Sequence, residues 1–172
     1  PQIVYTQHQT APFPTRIWLP PFAEPIGRRV HPLMSRTVNT IGMLMAQGLE
    51  ERGQIGATHM GTGYDAWYPG YVDYLPMLQN RASFWTETAL YRYATPHFYT
   101  VQDFPARQRG LRSESLYPSP WRGGWWRLRD AVEYMETASL SVLDFAAKYK
   151  DDLLYNRYQT GRDTIAKYEA EA

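Results

Sequence analysis

There is no cysteine among the 172 residues. That excludes a disulfide framework and any thiolate zinc site, and says little about compartment. A charge excess of either sign is also missing: 18 Lys and Arg face 17 Asp and Glu, a net charge of +1. No global field therefore argues for nucleic acid or an acidic membrane surface. No apolar run approaches the roughly 20 residues of a membrane span, and nothing resembles a signal peptide. The chain opens on Pro1-Gln2 without an initiator Met and runs straight into a strand, which reads as a piece of a longer protein. What is present is 44% hydrophobic and 15% aromatic, enough to bury the core of about one domain.

Two polar residues stand out, each at the end of an apolar or β-branched run. Ile3 to Thr6 reads as a strand and delivers His8, and Ala82 to Thr86 reads as a second and delivers Glu87. A lone imidazole or carboxylate in such a place costs several kcal/mol unless it has a partner. Taken singly, His8 reads as a hydrogen-bonded structural residue, and Glu87 as half of a salt bridge to Arg81 or Arg92.

The elements alternate. Residues 11–25 carry so many prolines that they predict a fixed loop over the sheet and no regular structure. His31-Pro32 opens a helix whose apolar face is Leu33, Val38, Ile41, Met45 and Leu49, with Gly53 ending it. Gln54 to His59 is a short strand candidate, 60–80 a loop rich in Gly, Tyr and Pro, and 91–126 irregular. The last third is helical: Leu128, Val132, Met135, Ala138, Val142, Phe145 and Tyr149 recur on one stripe, and a second helix starting at Asp151 or Asp152 carries Leu154, Tyr158, Ile165 and Tyr168. Strands alternating with helices imply an α/β layered fold.

The arrangement resembles the zinc carboxypeptidases, the carboxypeptidase A/B-like metallopeptidases, in a divergent bacterial branch. The resemblance rests on Ile3-Val4-Tyr5-Thr6-Gln7-His8, on Phe84-Trp85-Thr86-Glu87-Thr88 with Glu87 79 residues after His8, and on Gly63 to Asp73 between them. The phrases Gln7-His8-Gln9-Thr10, Tyr64 to Gly70 and Gly123 to Leu128 carry the branch likeness. It implies a three-layer α/β domain with a mixed central sheet flanked by helices. Residues 1–95 would be the C-terminal half of the catalytic domain, 96–126 an irregular Pro/Trp-rich connection, and 127–172 a helical extension packing on it. It further implies a peptide or amide substrate, one zinc ion with His8 as a ligand, Glu87 as general base, and a secreted or periplasmic location for the intact protein. Tyr64 would be the mobile substrate-contacting residue, Tyr68 and Tyr71 secondary contacts, and Val72-Asp73 the floor of the side-chain pocket.

The family's remaining zinc ligands come from an upstream H-x-x-E pair, and none of His8, His31, His59 or His97 has Glu three residues later. The parent chain is therefore expected to carry that pair, followed by an Arg-containing substrate segment; half a sheet by itself should be poorly soluble through its open edge. A metal-free binding or structural module, its aromatics stacking on sugar rings, is the reading from a different class. His31 and His59 read as a pre-proline helix cap and a half-exposed strand residue. Arg107, Arg109, Arg112, Arg122, Arg127 and Arg129, interleaved with Trp121, Trp125 and Trp126, have the look of a single-strand nucleic-acid platform, but read more simply as a staple and solvated approach to the long helix.

Overall fold

The computed structural model describes residues 1–61, 63–90 and 95–171, the side chain of residue 171 excepted. It is mixed α/β, with a mixed sheet and three helices. Arg92 lies outside the described residues.

Four strands form the sheet in the order β1 (Ile3–His8), β6 (Ala82–Thr88), β2 (Ile17–Trp18), β4 (Ala57–Thr58), where the intervening β3 and β5 are Ala23–Ile26 and Asp65–Ala66, which pair with each other. β1 runs parallel to β6 and places His8 opposite Glu87; β2 is antiparallel to β6 and parallel to β4. All seven residues of β6 are buried. The cause is cover on both faces. Tyr5 stacks on Phe84, with ring centroids 5.1 Å apart, and Gln7 on that face reaches Ser139 of α2 (Leu128–Lys148). On the other face Trp85 packs against Trp18 and Phe22. A strand covered on both sides reads as a continuous run, which is why 82–88 shows little alternation.

α1 (Pro32–Glu51) begins as its sequence asks: His31 sits at the N-cap, its Nδ1 accepting from the Leu33 amide at 3.2 Å, and Pro32 needs no amide partner. Met34, Val38, Ile41, Met45 and Leu49 are buried, with Leu33 only packed alongside. Gly42 lets the helix approach the Pro20 backbone, since a Cβ there would lie 1.9 Å from the Pro20 carbonyl oxygen. α3 (Lys150–Glu171) follows α2 after one residue, with Asp151 and Asp152 in its first turn.

Three expectations need correction. The proline-rich stretch 11–25 holds β2 and the start of β3. A two-residue strand escapes the proline objection because the amides it needs are those of Ile17 and Leu19, which bond Gly56 and Thr58 carbonyls, while Pro12, Pro14, Pro20 and Pro21 flank it. The stripe of α2 is rotated in its first half: Ala131, Tyr134, Thr137 and Ala138 are buried, whereas Leu128 and Val132 are exposed. Region 91–126 is less irregular than expected, since β7 (His97–Tyr99) pairs antiparallel with β8 (Gly124–Trp126). On α3, Leu154, Tyr158, Ile165 and Tyr168 stand exposed.

That region is fastened by one buried cation. Arg16, 1% exposed, sits with its guanidinium 3.8 Å from the Trp121 ring centroid and 4.6 Å from that of Trp126; Tyr99 and Phe13 stand farther off. Its Nε donates to the Pro14 carbonyl at 3.0 Å. Burial pulls its pKa down to about 10, so it remains cationic at neutral pH. Trp121 and Trp126 are thus committed to the interior, and of the three tryptophans only Trp125 is exposed. Arg16→Ala should cost about 3 kcal/mol in urea unfolding by leaving a cavity among the rings, while Arg16→Met should recover part of that loss; equal stability of Arg16→Ala and wild type would refute the fastening role.

Candidate active site

β1 and β6 end side by side, and because they are parallel their last side chains leave the sheet at the same edge. Register puts His8 directly beside Glu87. Glu87 is only 4% exposed, yet its carboxylate is satisfied: Oε2 accepts from the Thr10 amide at 2.9 Å and from the Thr10 hydroxyl at 2.6 Å, and Oε1 stands 3.5 Å from His8 Nδ1. No bond from Arg81 to Glu87 appears, so a structural salt bridge to that residue does not explain the buried acid.

The second ring nitrogen of His8 faces another buried carboxylate. Asp73, 4% exposed, places Oδ2 3.4 Å from His8 Nε2. The Asp73 backbone is pinned to the sheet, because the Ser83 hydroxyl of β6 donates to its carbonyl. Asp73 Oδ1 has no hydrogen-bond partner among the described residues. Each ring nitrogen of His8 thus faces a buried carboxylate, Nε2 that of Asp73 and Nδ1 that of Glu87.

These residues line one cleft of about 520 Å³ with Gly63, Tyr64, Asp65, Tyr71 and Trp85. Tyr64 bonds through its hydroxyl to the Thr10 carbonyl, and its ring packs on Trp18 at 4.9 Å. Burial raises its pKa. Of the residues expected at the site, His8, Glu87, Tyr64 and Asp73 are brought together. Val72 is not: it is 74% exposed, and the cleft takes Tyr71 instead. Tyr68 is exposed on the rim, its ring 5.2 Å from that of Tyr71. Asp73 lines the cleft with Oδ2 toward His8. Thr10 was missed, and its signal was weak: a Thr two residues beyond a strand-end His reads as an ordinary turn residue.

His31 and His59 stay apart from the cleft. His31 caps α1 as expected, whereas His59 is buried, not half-exposed, with Nδ1 2.7 Å from the Pro20 carbonyl oxygen. Among the described residues no group of three or more His, Asp and Glu is arranged to hold a metal ion by itself, and no helix is long and apolar enough to cross a membrane.

Comparison of the chain with family models, with curated proteins and with solved structures finds no match. The reading of the site rests on its geometry and chemistry.

His59 also gives a pH prediction. Desolvation lowers its pKa in the folded state, so below about 6.5, the ordinary histidine value, the unfolded chain binds the extra proton and the folded one resists it. Stability contributed by neutral His59 is present above that pH and declines as pH falls through it. Urea midpoints between pH 7 and 5 should fall less steeply in His59→Gln than in wild type; identical slopes would show that His59 charges freely in the fold.

Proposed function

We propose that this chain belongs to a zinc-dependent, carboxypeptidase-like hydrolase that cleaves a peptide or amide bond, and that its mixed sheet is half of a three-layer domain of that type. The observation that carries the reading is the parallel register that sets a strand-end His beside a buried strand-end Glu, in a cleft that also receives Tyr64 and Asp73. The donor set suits the metal. His8 would supply Nδ1, with Asp73 on Nε2 as the outer carboxylate that orients a metal-binding imidazole. The other ligands would come from an H-x-x-E pair in the parent chain.

A zinc ion bound there lowers the pKa of its water toward neutrality and polarises a carbonyl. The residues of this chain do the rest. Glu87, held next to His8 and beneath Trp85, accepts the proton of the attacking water and passes it to the leaving amine. The Tyr64 hydroxyl, now on the Thr10 carbonyl, is within the same cleft and serves a bound substrate as donor. A second reading has one observation in its favour: Trp67, Tyr68 and Tyr71 form an exposed aromatic row that meets Trp85 at the cleft, as a metal-free glycan-binding module would need.

Metal content separates the two. The 172-residue chain should bind zinc weakly, since one imidazole cannot match a three-ligand site, while the parent protein holds about one ion and loses it on His8→Ala. Elemental analysis of the three proteins tests this, and stoichiometric zinc surviving in His8→Ala, or a parent gene without H-x-x-E, sinks the metal assignment.

Turnover tests the base. Glu87→Gln keeps the shape and the acceptor for Thr10 but cannot take a proton, so kcat on a peptide substrate should fall by about 10²–10⁴ with zinc retained. A variant that melts earlier yet turns over within a few fold of wild type would make Glu87 structural.

A further inference from the structure

We propose that Thr10 is the positioning residue of this site, fixing Glu87 Oε2 so that Oε1 is the oxygen that exchanges protons. The inference rests on Glu87 acting as the general base. The terminal torsion of a glutamate is broad and roughly two-fold, so a carboxylate on a strand end does not by itself present one particular oxygen. Thr10 removes that freedom by donating to a single oxygen twice, from its amide at 2.9 Å and from its hydroxyl at 2.6 Å. Charge-assisted bonds of this kind are about twice as strong as neutral ones. Both lone-pair directions of Oε2 are then spoken for. Oε1 is left on the side of His8, where Nδ1 approaches to 3.5 Å.

The same residue reaches Tyr64. Its carbonyl accepts the Tyr64 hydroxyl, so one residue holds the base by two donors and a cleft tyrosine by its acceptor. The other titratable groups that line the cleft with Glu87, namely His8, Tyr64, Asp65, Tyr71 and Asp73, do not duplicate these bonds: among the described residues the hydrogen bonds to Oε2 come from Thr10. The hydroxyl can be removed with little change of shape, since Val differs from Thr by a methyl in place of the oxygen. Ser restores the donor without the methyl.

The experiment uses the parent protein. Thr10→Val should lower kcat about tenfold through loss of alignment with KM within about twofold, and Thr10→Ser should stay within about twofold of wild type in both. A residue that served only the fold would shift the melting temperature in Thr10→Val and leave kcat alone. Wild-type kcat in Thr10→Val, or a Thr10→Ser variant as slow as Thr10→Val, overturns the proposal. A second readout needs no turnover: in the NMR spectrum the Thr10 amide proton should lie downfield and exchange slowly, and both features should vanish in Glu87→Ala. An amide unaffected by Glu87→Ala overturns the positioning bond itself. Full activity of Glu87→Gln would instead overturn the base reading, and with it the role of Thr10 in turnover, even where the amide signature shows the bond intact.

Discussion

Glu87 is a carboxylate on a strand whose seven residues are all buried, and the arrangement around it follows from the need to satisfy that charge. An ionised carboxylate taken from water into such a site costs several kcal/mol unless donors meet it. Here the donors are the amide and hydroxyl of Thr10, two residues beyond the end of β1, and the His8 imidazole stands 3.5 Å from the other oxygen. That fixes the pairing of β1 with β6. A slip of one residue would turn His8 to the opposite face and bring Gln7 beside Glu87, leaving the acid without the imidazole and the strand's apolar residues misplaced. The same constraint reaches the loop of residues 60–80, because Asp73 is tied to β6 through Ser83 and to His8 through its carboxylate.

A buried cation organises the same end of β6 from the side of β2. Arg16 lies at the entry to β2, whose pairing with β6 sets Trp18 opposite Glu87, and its carbonyl accepts the Ala89 amide just beyond β6. Aromatic faces replace a carboxylate as its partner: cation–π contact with Trp121 and Trp126 is compatible with an apolar interior in a way that a second buried charge would not be. The connection between β7 and β8 therefore ends on the sheet and not in solvent. Trp126 adds a bond from its indole N–H to the Ala89 carbonyl, so both β2 and the end of β6 are clamped by the same ring cluster.

Much of this was legible in the sequence where periodicity is strong and local. The two strands and their terminal His8 and Glu87, the proline start of α1, and the existence of α2 and α3 all follow from residue spacing and caps. β2 was hidden because two residues carry no period, and prolines on both sides read as a breaker unless one knows which amides the sheet requires. The face of α2 was misjudged at its start because Ala131, Tyr134 and Thr137 are weaker apolar markers than Leu128 and Val132, and contact with α1 chose the former. Asp73 lines the cleft with its carboxylate toward His8, an orientation that spacing could not give: it says which loop carries an acid, and says nothing about which way it turns. Thr10 was invisible for a related reason, since its role is made by two hydrogen bonds to a residue 77 positions away.

The exposure of the pair is asymmetric, and that asymmetry says where the site is open. The His8 side chain keeps 40% of its surface accessible while that of Glu87 keeps 5%. β1 is also the outer strand of the sheet, paired on one side only among the described residues. The imidazole is the accessible member of the pair, and Glu87 Oε2 is covered by Thr10. Glu87 is left dry enough that each donor it keeps counts for more than it would in water.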